Sequence, residues 1–118
     1  MQRRLLAPTW LPRDGRIGRE APTVGARRVL QDFSTSDGEN LLILSQEPRS
    51  PERDAYHRRM FETRADAKID LGEGRLGCFV RGNRGELRLF WHQGDTAVII
   101  SSSVLSNPEL AEIARRVR

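Results

Sequence analysis

Cysteine is nearly absent from this sequence: Cys78 stands alone among 118 residues. A lone thiol excludes an intramolecular disulfide and any structural zinc site built on cysteines. Its neighbours Gly77 and Phe79 lie in an apolar run, which predicts a buried, inert side chain. Lysine is as scarce, with Lys68 the only one, and aromatic residues make up just 6%. The core must therefore come chiefly from Leu, Ile and Val. No window approaches the ~18 consecutive apolar residues of a membrane span. The start, "MQRRLLAPTWLP", has the charged opening of a signal peptide but only Leu5 to Ala7 before Pro8, far short of an apolar core of ~7 to 15 residues.

Charge is plentiful. Charged residues reach 31%, with 20 basic against 16 acidic, for a net charge of +4 and a pI near 10.5. All the basic residues but Lys68 are Arg, which suits phosphate or carboxylate recognition. The arginines are nonetheless interleaved with Asp and Glu, whereas nucleic-acid arms tend to form basic blocks. The length fits one core, so residues 1–118 are expected to form a single domain, with 1–25 as a proline-framed lead-in and 26–118 as the folded body.

Turn formers divide the chain. Pro8, Pro12 and Pro22 argue for an irregular lead-in, with Trp10 and Leu11 as its anchors. "RRVLQDFS" and "NLLILSQ" read as a hairpin whose loop lies around Asp37 and Gly38. In "SPERDAYHRRMFETRADA", Ser50 as N-cap, Pro51 in the first turn and Glu52 behind it predict a short helix from Pro51 to about Phe61, with Tyr56 and Met60 on one face. A charged excursion between strands is the competing reading. "AKIDL", "RLGCFV", "ELRLFWH" and "TAVIISS" then form strand-like runs separated by glycine-bearing turns, an antiparallel meander. In the last stretch Ser106 or Asn107 caps, Pro108 takes the first turn, and Leu110, Ile113, Ala114 and Val117 make one apolar stripe. The fold class is α+β: a curled antiparallel sheet of about five or six strands with a C-terminal helix packed on one face.

These elements resemble a bacterial extracytoplasmic domain of unknown function found in anti-sigma-factor-like and envelope or sporulation proteins. The similarity rests on the P-x-x-L-P of Pro8, Leu11 and Pro12, on Leu89 and Trp91 before Gly94, and on the L-S-x-x-E-L-x-x-I-A ending at Leu105, Ser106, Glu109, Leu110, Ile113 and Ala114. The resemblance implies a non-catalytic sensing, binding or interaction module, the soluble domain of a membrane-anchored or envelope protein, with no catalytic residues to carry over. It implies the extracytoplasmic side of a bacterial membrane if the chain is an excised domain; a complete chain would be cytoplasmic. The Arg-rich insertion from Arg49 to Arg64 and the lack of an anchor depart from the family pattern.

Candidate sites are few. No H-x-x-x-H, C-x-x-C or EF-hand spacing is present, and a metal site would need His57 and His92 plus carboxylates gathered by folding, so no metal or cofactor is expected. Cys78 with His92 as base lacks an orienting third group and an exposed thiol. The serines of "ISSSVLS" lack a nucleophile elbow, and "GEGRLG" lacks the helix and Lys-Ser/Thr pair of a phosphate loop. A concave sheet under one helix leaves room for an apolar ligand or peptide lined by Leu44, Leu89, Trp91 and Ile99, with Leu42 beside them; the competing reading is that these residues simply meet the helix stripe. The alternative function is nucleic-acid binding, with Phe79, Phe90 and Trp91 stacking bases inside a rim of Arg75, Arg81, Arg84 and Arg88. A protein partner is the other expectation, through the sheet edge or the Arg-rich excursion where no small ligand is held.

Overall fold

In the computed structural model, which describes residues 5–15, 23–24, 28–63 and 67–118, the hairpin expected around Asp37 and Gly38 joins strand β2 (Val29–Ser34) to β3 (Asn40–Pro48). Its loop closes by hydrogen bonds from the Thr35 N–H to the Glu39 carbonyl and from the Gly38 N–H to the Thr35 carbonyl. Gly38 takes a φ of 92° there, a conformation that only glycine enters without strain. A two-residue strand β1 (Thr23–Val24) pairs with the outer edge of β2.

The meander follows as β4 (Ala67–Gly72), β5 (Arg75–Arg81), β6 (Leu87–Gln93) and β7 (Thr96–Ser102). Gln93 pairs directly with Thr96, so only Gly94 and Asp95 turn the chain, and Gly94 sits at φ 60° as a tight primed hairpin turn requires. All neighbours are antiparallel, in the order β1-β2-β3-β7-β6-β5-β4. The last strand of the meander therefore docks on β3, and β4 falls at the far edge. The connection from β3 to β4 must cross a face of the sheet, and helix α1 (Pro51–Thr63) lies in that connection.

Helix α2 (Asn107–Arg115) covers the other face. Ser106 accepts from the Glu109 N–H while the Glu109 side chain accepts from the Ser106 N–H, a complete capping box that satisfies two of the helix's orphan donors. The predicted stripe of Leu110, Ile113, Ala114 and Val117 is fully buried against Phe33, Leu42, Leu44, Leu71, Phe79, Leu89, Trp91, Val98 and Ile100. Strand alternation explains the set: Leu89 pairs with Phe79 and Ile100, and Trp91 with Val98, so all point to the same side. Trp91 donates its indole N–H to Gln93 at 3.0 Å.

The lead-in runs back along the C-terminus. Pro8 bridges Val117, and Ala7 exchanges backbone hydrogen bonds with Arg118. The buried Gln46 amide clamps Leu6, accepting from its N–H and donating to its carbonyl, each at 2.9 Å. Leu11 is buried and Trp10 packs beside it under the Arg116 guanidinium, 5.2 Å from the ring centroid. Both act as the anchors expected of them; Pro22 lies outside the described residues. No described helix is long and apolar enough to cross a membrane.

Candidate functional site

The face of the sheet opposite α2 carries the chemistry. On it the registers align Cys78, Phe90 and Ile99 across β5, β6 and β7, with His92 one step along β6 beside Ala97. Helix α1 lies over part of this face. Its N-cap is the predicted Ser50, whose hydroxyl accepts from the Arg53 N–H at 3.2 Å. Its inward residue is a histidine: His57 is only 1% exposed, whereas Tyr56 is 54% exposed. The His57 ring rests on Phe90 with centroids 4.2 Å apart.

His57 and His92 are the only histidines in the chain, and the fold brings His57 Nδ1 within 3.1 Å of His92 Nε2. Two such nitrogens share one hydrogen, so one ring donates and the other accepts. Asp54, one turn before His57, places Oδ1 3.9 Å from His92 Nε2. One ligand atom from each of Asp54, His57 and His92 falls within 4.8 Å of the other two. Arg49 holds the carboxylate from behind, with Nε 3.3 Å from Oδ1 and Nη2 2.9 Å from Oδ2, and reaches the Gly94 carbonyl with Nη1. Glu47 receives two hydrogen bonds from Arg53, at 2.9 and 3.1 Å.

These surroundings set the protonation states. Burial first, then His92 and Arg53, push the His57 imidazolium down to about 4. Burial also lowers His92, with Arg49 adding to it. The hydrogen bonds from Arg49 keep Asp54 below the usual carboxylate value. Near neutral pH the group is thus one carboxylate beside two neutral imidazoles.

Beside this cluster a cavity of about 360 Å³ opens between α1 and the sheet. Arg28, Arg53, Arg81 and Arg88 surround an apolar floor of Met60, Val80, Phe90 and Ile99, and no carboxylate is among the described lining residues. Glu47 and Glu86 pair with Arg53 and Arg88 from outside the lining. A second, more open cavity of about 510 Å³ shares Asn83 and Arg88 with the first and continues past Ile43, Arg84, Ser101 and Ser103, with the Glu86 carboxylate also in its lining.

The residues expected to line an apolar cleft separate. Leu44, Leu89 and Trp91, with Leu42, are buried beneath α2. The helix stripe fills that side, so only the competing reading applies to them, while Ile99 faces the other way into the arginine-lined cavity. Of the four expected rim arginines, Arg81, Arg84 and Arg88 gather along the two cavities. Arg75 does not join them. It is 9% exposed, donates to Gln93 Oε1 at 2.7 Å and reaches the Ala114 and Arg115 carbonyls at the C-terminal end of α2. Phe79, Phe90 and Trp91 are buried, so they offer no stacking platform to bases. The thiol of Cys78 is likewise buried. Sequence spacing held no trace of the histidine pair, because His57 and His92 lie 35 residues apart and meet only through the crossover.

No protein-family model matches this chain, and neither a curated protein nor a solved structure matches it.

Proposed function

We propose that the chain is a non-catalytic interaction module that takes a peptide segment carrying acidic and apolar side chains on the face of the sheet beside α1. The observation behind the reading is the pairing of four guanidinium groups with an apolar floor in one cavity. Guanidinium groups recognise carboxylates by paired hydrogen bonds, and an apolar floor adds the burial of a neighbouring side chain. The elongated shape favours a peptide: the two cavities share Asn83 and Arg88, and Leu30 and Ile43, 38% and 39% exposed, extend the same face with apolar surface. We further propose, as the resemblance to bacterial extracytoplasmic domains implies, that the module is the soluble domain of a membrane-anchored or envelope protein.

Fluorescence anisotropy with labelled peptides tests this reading. Peptides alternating Glu or Asp with Leu or Phe should bind, and sequence-matched peptides with Lys in place of the acids should not. Arg81→Ala and Arg88→Ala should each weaken binding roughly tenfold, the loss of about one charge-assisted hydrogen bond. A single-stranded oligonucleotide serves as the comparator. Preference for the oligonucleotide, with affinity falling steeply as salt is added, would favour the nucleic-acid alternative through Arg81, Arg84 and Arg88. Acidic peptides that bind no better than their lysine counterparts would exclude the peptide reading.

A further inference from the structure

We infer that Asp54, His57 and His92 form a binding site for a divalent transition metal of the zinc class, with the remaining coordination position left to water or another ligand. The proposal is independent of the peptide reading. Two of the ligands are placed by one helix: Asp54 and His57 are three residues apart on α1 and so project from the same side. The third comes from β6, and β6 is fixed by pairing with both of its neighbours.

The spacing fits. Two imidazole nitrogens on a tetrahedral zinc, each about 2.05 Å from the metal, stand roughly 3.3 Å apart. His57 Nδ1 and His92 Nε2 are 3.1 Å apart, and the Asp54 oxygen, 3.9 Å from His92 Nε2 and within 4.8 Å of the His57 nitrogen, must move toward both rings to complete the set. The ring that donates in the metal-free pair moves its hydrogen to its outer nitrogen, a change of tautomer.

The local charges are compatible as well. Arg49 and Arg53 lie close by, but each is tied to a carboxylate, Asp54 and Glu47 respectively. Each Asp54 oxygen has two lone pairs, so the carboxylate can keep Arg49 on one side and face a metal on the other. Arg49 then orients the ligand, as groups behind a metal's own ligands commonly do. A mere structural role would be served more cheaply by an apolar side chain at position 57, where the ring sits on Phe90 and burial of a polar ring carries a desolvation cost.

The test uses the untagged chain, in which these two histidines are the only imidazoles. After chelator treatment and dialysis, zinc alone is titrated in by calorimetry, and cobalt is titrated as a visible-absorption probe of low-coordinate geometry. One equivalent of zinc and intense cobalt bands are expected. His92→Gln and Asp54→Asn, both at half-buried positions, should each abolish the cobalt bands while circular dichroism shows a folded protein. Arg49→Gln should weaken zinc binding roughly 10- to 100-fold without removing it. The proposal fails if the folded wild-type chain takes up neither metal, or if uptake survives unchanged in either His92→Gln or Asp54→Asn. His57→Asn is a further variant, read only if it folds.

Discussion

Lowering the pH through the weakly acidic range should destabilise this protein well before its carboxylates titrate, and His57 is the reason. Its ordinary value of 6.5 is pushed down to about 4 in the folded chain. Between those two values the unfolded chain binds a proton that the folded chain refuses, so stability falls as pH falls. The contribution is fully present above about pH 6.5, is lost progressively on acidification, and is gone below about pH 4. Across the whole window it amounts to about 3 kcal/mol, at 1.36 kcal/mol per pH unit. At pH 5 about 2 kcal/mol should already be missing, a large share of the ~5 to 15 kcal/mol that holds a typical domain. His92, also lowered by burial, acts in the same direction.

Urea unfolding at a series of pH values, with chelator present to keep any metal out, measures the effect directly. The slope of unfolding free energy against pH should approach about 1.4 kcal/mol per unit between pH 5 and 6. His57→Phe supplies the control, because the phenyl ring occupies the site on Phe90 and cannot take up a proton; most of the slope should vanish. A wild-type stability that stays flat from pH 7.5 to pH 5 would refute the picture of a neutral, buried His57. A slope that persists undiminished in His57→Phe would assign it to another group. The depressed carboxylates Asp54 and Glu109 contribute in the same sense but lower: their stabilisation is present above their ordinary values and is lost as pH drops further.

Three further outcomes follow from the packing. Arg75→Leu should cost about 2 to 4 kcal/mol in urea unfolding and Arg75→Lys should restore little, because the guanidinium spans Gln93 and the Ala114 and Arg115 carbonyls at once. Ser106→Ala should cost about 1 kcal/mol by breaking the α2 capping box, with Ser106→Gly less harmful, both measured by the same unfolding curves. Cys78 should leave an aromatic disulfide reagent unreacted in the native protein and react at once in denaturant, since its side chain is buried on the sheet face opposite α2; rapid native reaction would show that this face opens readily.

Local signals carried most of the fold. The β6–β7 hairpin needed only Gly94 between two apolar runs, and α2 announced itself through Ser106, Pro108 and a stripe of four apolar residues, because caps, turns and periodicity are written within a few residues of where they act. The extent of α1 was nearly readable too, ending at Thr63 where about Phe61 was expected. Its orientation was not. Tyr56 and Met60 looked like the inward pair, yet His57 is the buried residue, a choice made by Phe90 and His92 across the gap. Arg75 was misread for the same reason: a charged residue opening a strand looks like surface until the end of α2 is laid over it.

The alternation of β6 did contain a clue to the site. Leu89 and Trp91 point one way and Phe90 and His92 the other, while β5 and β7 add Cys78 and Ile99 to the second side. A strand with apolar residues on both faces needs cover on both, and α2 can cover only one. The cover for the second face must come from the long β3–β4 connection, whose sequence is rich in Arg, Asp and Glu and poor in apolar residues. A polar helix laid on a partly apolar face cannot seal it with a greasy stripe; it closes the gap with His57 and leaves guanidinium groups around the remaining opening. The histidine pair and the arginine-lined cavity are therefore two consequences of one mismatch, and substitutions that make α1 more apolar, such as His57→Phe, should firm the fold while removing the chemistry.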